Sequence, residues 1–291
     1  MTEIPDDLVE SVSKGQCILF LGAMVSAPSP KDCPYIYKEE NAPPSGKALS
    51  RHLAQVSEYP ADEDAANLQR VALHFEMRPN YNRRSLVLEI QKLIDNEHLS
   101  PSPALEMLAA LPFPIIITTN YDRLFDGALW RSKTLNGKPK APRIEVYNPK
   151  KEAAVVPLDN PENKPILLKL HGDLDVPESI VITEEDYLVF IQRMADEHMH
   201  PIPANIRARM QGWPVLFIGY SLKDFNLRLL LRSLRWGNDT VYPLSYSVDP
   251  KPDNLIVAVQ QRSGAQSITF LYMDLWKFVP ELYRMVRGDA P

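Results

Sequence analysis

The sequence has few cysteines, few glycines and no excess of positive charge. Cys17 and Cys33 are the only cysteines among 291 residues, so they allow at most one disulfide and cannot build a four-cysteine zinc site. Lys and Arg number 32 against 37 Asp and Glu, and the net charge of −5 argues against a broad nucleic-acid-binding face. We therefore expect no resident metal and no direct binding of nucleic acid.

Long apolar runs are also missing. No run approaches the ~18 residues that a membrane span requires. The first residues, which include Glu3, Asp6, Asp7 and Glu10, lack the basic and apolar regions of a signal peptide. We expect a cytoplasmic protein that does not bind a membrane. Hydrophobic residues make up 45% of the chain, enough to bury a core, and without an internal repeat or a clear boundary we predict a single domain over residues 1–291.

Short apolar runs that alternate with helical patterns predict an α/β fold. Six runs are typical of buried strands: Cys17–Leu21, Ile115–Thr119, Ile166–Leu170, Trp213–Ile218, Val241–Val248 and Ser267–Tyr272. Their alternation with helices favours a doubly wound, mostly parallel, Rossmann-like sheet. A further short strand or a hairpin is predicted over Arg143–Tyr147 and Ala154–Leu158.

Helical periodicity dominates the segment between the first two predicted strands. Four helices are predicted there: Ser45–Glu58, Asp62–Met77, Tyr81–Ile94 and Pro103–Ala110. Together they predict a helical module inserted at about residues 45–110. Further along, Thr183 and Asp186 fit a capping box that opens a helix to Met194, so the acids at 184–186 are interpreted as first-turn residues. From Ser221 to about Arg235 we predict another helix.

Four predicted strands end in polar or glycine-containing turns. Because the carboxyl ends of parallel strands share one edge of a sheet, where open α/β sheets bind ligands, these turns should meet. The turns are Gly22–Ser26, Asn120–Asp122, His171–Asp173 and Gly219–Asp224. A strand followed by glycine and small residues is typical of a pyrophosphate loop. Taken alone, Gly22 also fits an ordinary tight turn and His171 a capping histidine, so the nucleotide-site prediction depends on their convergence.

The remaining histidines give no metal signal. His52, His74 and His98 have no carboxylate or cysteine at ligand spacing, and we interpret them as surface or packing residues. His198 and His200 could chelate a metal, but no further ligand accompanies them, and a loop is the preferred interpretation.

The four turns, read in order, resemble the motifs of the sirtuin NAD-binding fold, and most of all its bacterial antiphage-defence branch of NAD-consuming effectors. The run from Leu170 to Tyr187 is similar to that branch in particular, and the resemblance extends from about Gly15 to Trp276. Met24 departs from the pattern, because the family usually has glycine there. The two cysteines exclude the four-cysteine zinc ribbon of sirtuin deacylases.

The resemblance implies a role for each turn. Asn120 would hold the attacking water or the nicotinamide ribose, Asp122 would meet the nicotinamide carboxamide, and His171 would act as base on the ribose hydroxyls. The implied binding residues for NAD+ are Gly22, Ala23 and Ser26 at the pyrophosphate and nearby ribose, Thr119 beside Asn120, and Gly219, Ser221 and Asp224 at the adenosine half.

The activity implied is an NAD+ glycohydrolase that releases nicotinamide and ADP-ribose in an antiphage, abortive-infection system. Cleavage of the N-glycosidic bond builds oxocarbenium-like charge that carboxylate or amide oxygens stabilise, and a histidine can take a proton near neutral pH. Two alternatives stay open: a deacylase or ADP-ribosyltransferase, and a restrained NAD- or ADP-ribose-binding scaffold. The resemblance also implies a homo-oligomer and a separate partner chain such as a HerA-type hexameric ATPase.

Overall fold

The computed structural model describes residues 3–220, 222, 244–262 and 268–288. Its centre is a seven-stranded sheet with the order β3-β4-β2-β1-β5-β6-β7, in which neighbouring strands run parallel. The strands are β1 Ile18–Leu21, β2 Ile115–Thr118, β3 Arg143–Val146, β4 Ile166–Lys169, β5 Val215–Ile218, β6 Ser245–Val248 and β7 Ile268–Leu271.

Helices cover both faces of the sheet. The helices of the described residues are α1 Asp6–Ser13, α2 Gly46–Val56, α3 Leu68–Met77, α4 Arg83–Ile94, α5 Pro103–Ala110, α6 Leu124–Arg131, α7 Glu184–Met194, α8 Ala204–Gly212, α9 Asn254–Arg262 and α10 Leu275–Arg287. On one face α1, α5, α6 and α10 pack around Leu19 and Leu216, and on the other α7, α8 and α9 pack around Phe20 and Phe217. Strands buried on both faces are continuously apolar, and the predicted doubly wound parallel sheet is confirmed.

The order of the strands reverses beside β1. The chain places β2, β3 and β4 on one side of β1, and β5, β6 and β7 on the other. The carboxyl ends of β1 and β5 therefore form the topological switch point, where a crevice opens in sheets of this kind. Gly22 follows β1 and Gly219 follows β5, so two of the predicted turns lie at this point.

Three of the four helices between β1 and β2, namely α2, α3 and α4, share a core of their own and are called the helical module below. Side chains of α2, α3 and α4 pack together, and Leu174, Ile180 and Ile182 from the segment after β4 complete the core. The side chains of Ser45, Asn67 and Asn82 cap the first turns of these three helices. By contrast, α5, which the sequence grouped with the module, packs on the sheet with α6 and α10.

Three local predictions differ from the structure. The predicted short strand is present at Arg143–Val146, but the alternative of a hairpin is wrong, because this half-buried edge strand pairs parallel with β4 and Ala154–Leu158 forms no strand. The second helix of the predicted series begins at Leu68 rather than Asp62, since Asn67 caps it. Helix α8 was missed because only Ile206 and Met210 of this polar segment are buried.

Other predictions are confirmed or lie outside the described residues. Thr183 and Asp186 form the predicted capping box at the start of α7. The helix predicted from Ser221 to about Arg235 falls almost wholly in the part of the chain that is not described. Within the described ranges, no helix has both the length and the apolar character needed to cross a membrane.

Candidate active site

Backbone hydrogen bonds join the turn after β1 to the end of β5 and the turn that follows it. Gly22 N donates to Ile218 O at 2.9 Å, and Met24 N donates to Gly219 O at 3.1 Å. A Cβ on Gly22 would lie 2.5 Å from Gly219 O, and one on Gly219, whose φ is +77°, would lie 2.4 Å from Val25 N. Glycine is therefore required at both positions for the close approach of the two turns.

The loop after Gly22 carries two further features of interest. Residues Ala23–Ser26 form a short 3₁₀ turn. Ser26 is buried, and its hydroxyl has no hydrogen-bond partner among the described residues, which is rare for a buried polar atom. Met24, in the place of the expected glycine, is 58% exposed. Its side chain therefore points away from the core rather than crowding the loop from within.

Asn120 lies beside this loop. Its side-chain Nδ2 donates to Gly22 O at 3.4 Å, and its backbone N donates to Thr118 Oγ1 at 3.1 Å. The Thr118 hydroxyl in turn donates to Leu21 O at 3.0 Å. These bonds join the tips of the neighbouring strands β1 and β2, so the structure brings the predicted catalytic amide and the predicted binding glycine together.

Thr119 contacts a residue that the sequence analysis did not single out. Its Oγ1 lies 2.5 Å from the hydroxyl of Tyr220, which follows Gly219. The Tyr220 ring packs edge-on against Phe20, with ring centroids 5.2 Å apart. The aromatic residue directly after a predicted binding glycine was the only sequence signal for it. Predicted residues Ser221 and Asp224 lie outside the described residues.

Asp122 lies two residues before the first residue of α6. Its Oδ1 accepts a hydrogen bond from Leu124 N at 3.0 Å, at the start of α6. Burial raises the pKa of the Asp122 carboxyl above its ordinary value, while that backbone hydrogen bond and the charge of Lys169 oppose the shift. The carboxyl thus stabilises the turn that leads into α6, and its contact with nicotinamide stays a prediction.

The imidazole of His171 is buried against α7. The side chain is only 8% exposed and packs edge-on against Tyr187 and Phe190, with ring centroids 5.3 and 5.4 Å away. Burial lowers its pKa to about 4, so the ring is neutral at physiological pH. Among the described residues no hydrogen bond joins this ring to Asn120. Its role as a base stays a prediction.

The turns that carry Asn120 and His171 are nevertheless connected through Val181. Val181 N donates to His171 O at 3.0 Å, and the hydroxyl of Tyr121 donates to Val181 O at 2.8 Å. Tyr121 directly follows Asn120 in the chain. The Asn120 and His171 turns therefore lie close together, joined by Val181 and the Tyr121 hydroxyl.

Lys169, the last residue of β4, is a buried cation that the sequence analysis did not assign to the site. Its ammonium group lies 2.8 Å from Asp122 O and 2.5 Å from Asp173 Oδ2. A lysine in an otherwise apolar strand was the available signal, since such a residue must find buried oxygen partners.

A cavity of about 420 Å³ opens at the same edge of the sheet, beside β1, β5 and β6. Of the predicted site residues, Gly219 lines this cavity. The cavity extends to the end of β6, where the polar residue Asp249 follows the strand. The sequence did not lead us to assign Asp249 to the site. The walls of the cavity include Met24, Gly219, Tyr220, Asp249, Lys251 and Trp276. A concave, mixed polar and apolar surface at the strand ends is suited to a small ligand.

The described part of the chain contains no group of three His, Cys, Asp or Glu residues that could hold a metal ion. His200 is buried and its Nδ1 accepts from Ile202 N at 3.0 Å, a packing arrangement. His52 lies 2.8 Å from Glu89 on the helical module.

Comparison with known proteins identifies the family. The profile of the SIR2-like domain matches residues 114–269, more than half of the chain. The chain is 31% identical over 159 residues to an NAD(+) hydrolase ThsA of Enterococcus faecium, covering 54% of this chain and 30% of that protein. It is 26% identical over 232 residues to the ThsA of Acinetobacter baumannii, covering 79% and 41%.

Further similarities are more partial or more distant. Defense-associated sirtuin 2 of Bacillus subtilis is 29% identical over 174 residues, covering 57% of this chain and 15% of that one. The chain thus spans less than half the length of each of these relatives. A solved structure described as the structural basis for the mechanism and regulation of Sir2 enzymes shares 14% identity, covers 98% of both chains and has a TM-score of 0.47. The predicted family is confirmed by the profile match: the chain belongs to the SIR2-like domain family.

Proposed function

We propose that the chain hydrolyses NAD+ to nicotinamide and ADP-ribose as an effector of antiphage defence. The observation that carries the proposal is the contact between Asn120 Nδ2 and Gly22 O, at the switch point of the sheet. It puts an amide suited to orienting water next to a loop suited to a dinucleotide. The names of the relatives, NAD(+) hydrolase and defense-associated sirtuin, support the same activity.

The loop after β1 fits a nucleotide ligand. The buried hydroxyl of Ser26 lacks a hydrogen-bond partner among the described residues, and a ribose or phosphate oxygen would supply one. Because Gly22 and Gly219 lack side chains, the backbones of the two turns can approach each other closely. The exposed Met24 lies at the wall of the adjoining cavity and does not fill the loop from inside.

The chemistry assigned to Asn120 follows from its contacts. Because Nδ2 is directed to Gly22 O, the amide oxygen remains to accept a hydrogen bond from the attacking water. When the bond between nicotinamide and ribose breaks, the ribose gains oxocarbenium-like charge, which this oxygen dipole stabilises. Water then adds to that carbon and gives up one proton, and nicotinamide leaves as a neutral molecule.

A nucleotide-binding scaffold is the second candidate. It is favoured by the buried His171, whose pKa of about 4 makes a weak base. Such a subunit would bind NAD+ or ADP-ribose without turnover. A deacylase or an ADP-ribosyltransferase finds less support, since the chain contains only two cysteines and cannot form a zinc ribbon.

Turnover distinguishes the candidates. Purified protein is incubated with NAD+, and nicotinamide and ADP-ribose are measured by liquid chromatography with mass spectrometry. We expect product from the wild type, a fall in kcat of about 100-fold in Asn120→Ala, and little change in the control Asn136→Ala at an exposed position. Binding of ADP-ribose without product in any condition would instead support the scaffold.

We also propose that activity is restrained by assembly in the cytoplasm, because constant loss of NAD+ would kill the host. The proposed state is a homo-oligomer triggered by a separate chain, such as a HerA-type hexameric ATPase. The assay is therefore run with and without proteins encoded beside the gene, and the mass of the protein in solution is measured by light scattering. A monomer with full activity on its own would contradict this arrangement.

A further inference from the structure

Lys169 occupies an unusual position for a lysine. It ends the apolar strand β4, and its side chain is 0% exposed. A buried ammonium group is costly unless oxygens surround it. Here it lies near four oxygens: Asp173 Oδ2 at 2.5 Å, Asp122 O at 2.8 Å, Tyr121 O at 3.4 Å and Asp126 Oδ2 at 3.5 Å.

Three of these oxygens come from two turns that are far apart in the sequence, and the fourth, Asp126 Oδ2, lies on helix α6. The carbonyls of Tyr121 and Asp122 belong to the turn that starts with Asn120 after β2. The carboxylate of Asp173 belongs to the turn that starts with His171 after β4. Since an ammonium group has three donors, the side chain of Lys169 can hold both turns at once. No atom of the group is exposed to a substrate, so it is not itself a nucleophile.

A second set of bonds keeps the turns folded without this charge. Ser179 Oγ accepts from Asp173 N at 3.0 Å, and Val181 bonds both to His171 O and to the Tyr121 hydroxyl. Backbone pairing between β2 and β4 also continues beyond the strands, where Leu170 N donates to Thr118 O at 2.8 Å. Loss of the Lys169 charge should therefore displace the turns slightly rather than unfold them.

We propose that Lys169 is a positioning residue for NAD+ hydrolysis, whose ammonium group fixes the turn of Asn120 against the turn of His171. The inference rests on the proposed function. It differs from a purely structural role because the two turns that it joins both carry predicted catalytic side chains. A shift of about 1 Å in such groups can cost about 100-fold in rate.

Lys140 provides a matched control. It is the other buried lysine among the described residues, and its ammonium donates to Ala109 O at 2.7 Å and Leu111 O at 2.6 Å. Those carbonyls lie at the end of α5, just before β2 begins, which is the opposite edge of the sheet from the predicted turns. Lys140→Met removes a buried ammonium, as Lys169→Met does, but touches no catalytic turn.

Kinetics and melting temperature are compared for the wild type, Lys169→Met, Lys169→Arg and Lys140→Met. For Lys169→Met we expect kcat to fall about 100-fold while KM for NAD+ stays within about threefold, because the binding loop after β1 is untouched. We expect Lys169→Arg, which keeps the charge, to recover part of the rate. For Lys140→Met we expect a lower melting temperature and wild-type kcat. Wild-type kcat in Lys169→Met, or an equal fall in Lys140→Met, would overturn the proposal.

Two further measurements cover the remaining outcomes. If Lys169→Met does not fold, Asp173→Asn removes one partner with little change in shape, and an unchanged kcat there overturns the proposal. Independently of catalysis, the side-chain amide signal of Asn120 in ¹⁵N-labelled protein, assigned with Asn120→Ala, should shift or broaden in Lys169→Met or Asp173→Asn and not in Lys140→Met. An unmoved signal refutes positioning, whereas absence of wild-type turnover refutes only the proposed hydrolysis.

Discussion

The hydroxyl groups of Thr119 and Tyr220 meet 2.5 Å apart across the tip of β1. Thr119 follows β2 and Tyr220 follows β5, the two strands that flank β1 in the sheet. The bond therefore bridges the switch point over Gly22, where a Cβ would come within 2.8 Å of the Tyr220 ring. It orders the edge at which we expect the nucleotide to bind.

Tyr220→Phe keeps the ring and removes this bond. We expect a loss of about 1 kcal/mol in the free energy of unfolding, the usual net contribution of one hydrogen bond, and hence a fall in Tm of about 2 °C. Affinity for ADP-ribose should fall by no more than about fivefold, the equivalent of the same free energy. Calorimetry measures both quantities. Tyr272→Phe, at an exposed position, is the control, and an unchanged Tm in Tyr220→Phe would show that the bridge contributes nothing.

Gly22→Ala should disrupt the junction of the two turns. The added Cβ would meet Gly219 O at 2.5 Å, so the turns must separate, at a cost of about 1–3 kcal/mol. We expect a lower urea midpoint and loss of detectable ADP-ribose binding by calorimetry.

Gly46→Ala is the matched control for that substitution. A Cβ on Gly46, at the start of α2, meets nothing within 4 Å. We expect this variant to be as stable as the wild type or up to about 1 kcal/mol more stable, because alanine favours a helix. Similar destabilisation by both substitutions would mean that the close approach of the two turns is not the cause.

The parts of the fold that the sequence predicts are those with local signals. The strand Ile115–Thr118 is buried at every position and therefore appears in the sequence as a nearly continuous apolar run. Ser45 and Thr183 indicate where two helices begin, because their side chains are suited to capping. The edge strand β3 is half-buried and lacks such a run, so the sequence left a short strand and a hairpin open as alternatives. The polar turns at the strand ends likewise predict that Gly22 and Asn120 meet.

The remaining features of the site depend on contacts between distant segments. The bond of Tyr220 to Thr119 requires β5 and β2 to flank β1, and strand order has no signature in the sequence. The partners of Lys169 come from three segments that only the folded chain brings together. The direction of the His171 ring is set by Tyr187 and Phe190 of α7, which the polar turn itself does not reveal.

The two buried histidines should make the protein sensitive to acid. In the folded chain, burial lowers the pKa of His171 and of His200 to about 4, against about 6.5 in the unfolded chain. Between these values the unfolded chain binds protons that the folded chain does not. Stability is therefore full above pH about 6.5 and falls as the pH drops to about 4, by up to about 3 kcal/mol for each histidine.

His171→Phe tests how much of the acid sensitivity is due to His171, because phenylalanine can pack against the same aromatic rings without titrating. Urea unfolding at pH 7 and pH 4.5 should give a smaller difference for the variant than for the wild type. His200→Gln should reduce the difference between the two pH values by a similar amount. In the double variant the two reductions should add, since the two sites are separate. An acid sensitivity in His171→Phe equal to that of the wild type would contradict a buried, neutral imidazole.

Arg83, in α4 of the helical module, connects the module to residues 177–186, which follow the His171 turn in the chain. Its guanidinium group bonds Glu76 Oε1 at 3.0 Å and Asp186 Oδ2 at 2.8 Å, and it also donates to the carbonyl oxygens of Pro177 and Ile180. Replacement by methionine leaves two partly buried carboxylates and two carbonyls without this donor. We expect Arg83→Met to lower the free energy of unfolding by about 3 kcal/mol.

The neighbouring Arg84 is exposed and supplies the control, because Arg84→Met changes the same charge on the same helix turn. Urea unfolding of both variants separates the effect of losing the Arg83 hydrogen bonds from the effect of losing one positive charge. The free energy of unfolding of the control should stay within about 0.5 kcal/mol of the wild-type value. Arg83→Lys should recover only part of the stability, since one ammonium group cannot match the fork geometry of a guanidinium that serves four acceptors. If Arg83→Lys were as stable as the wild type, a single charge rather than the branched set of bonds would hold the module to this segment.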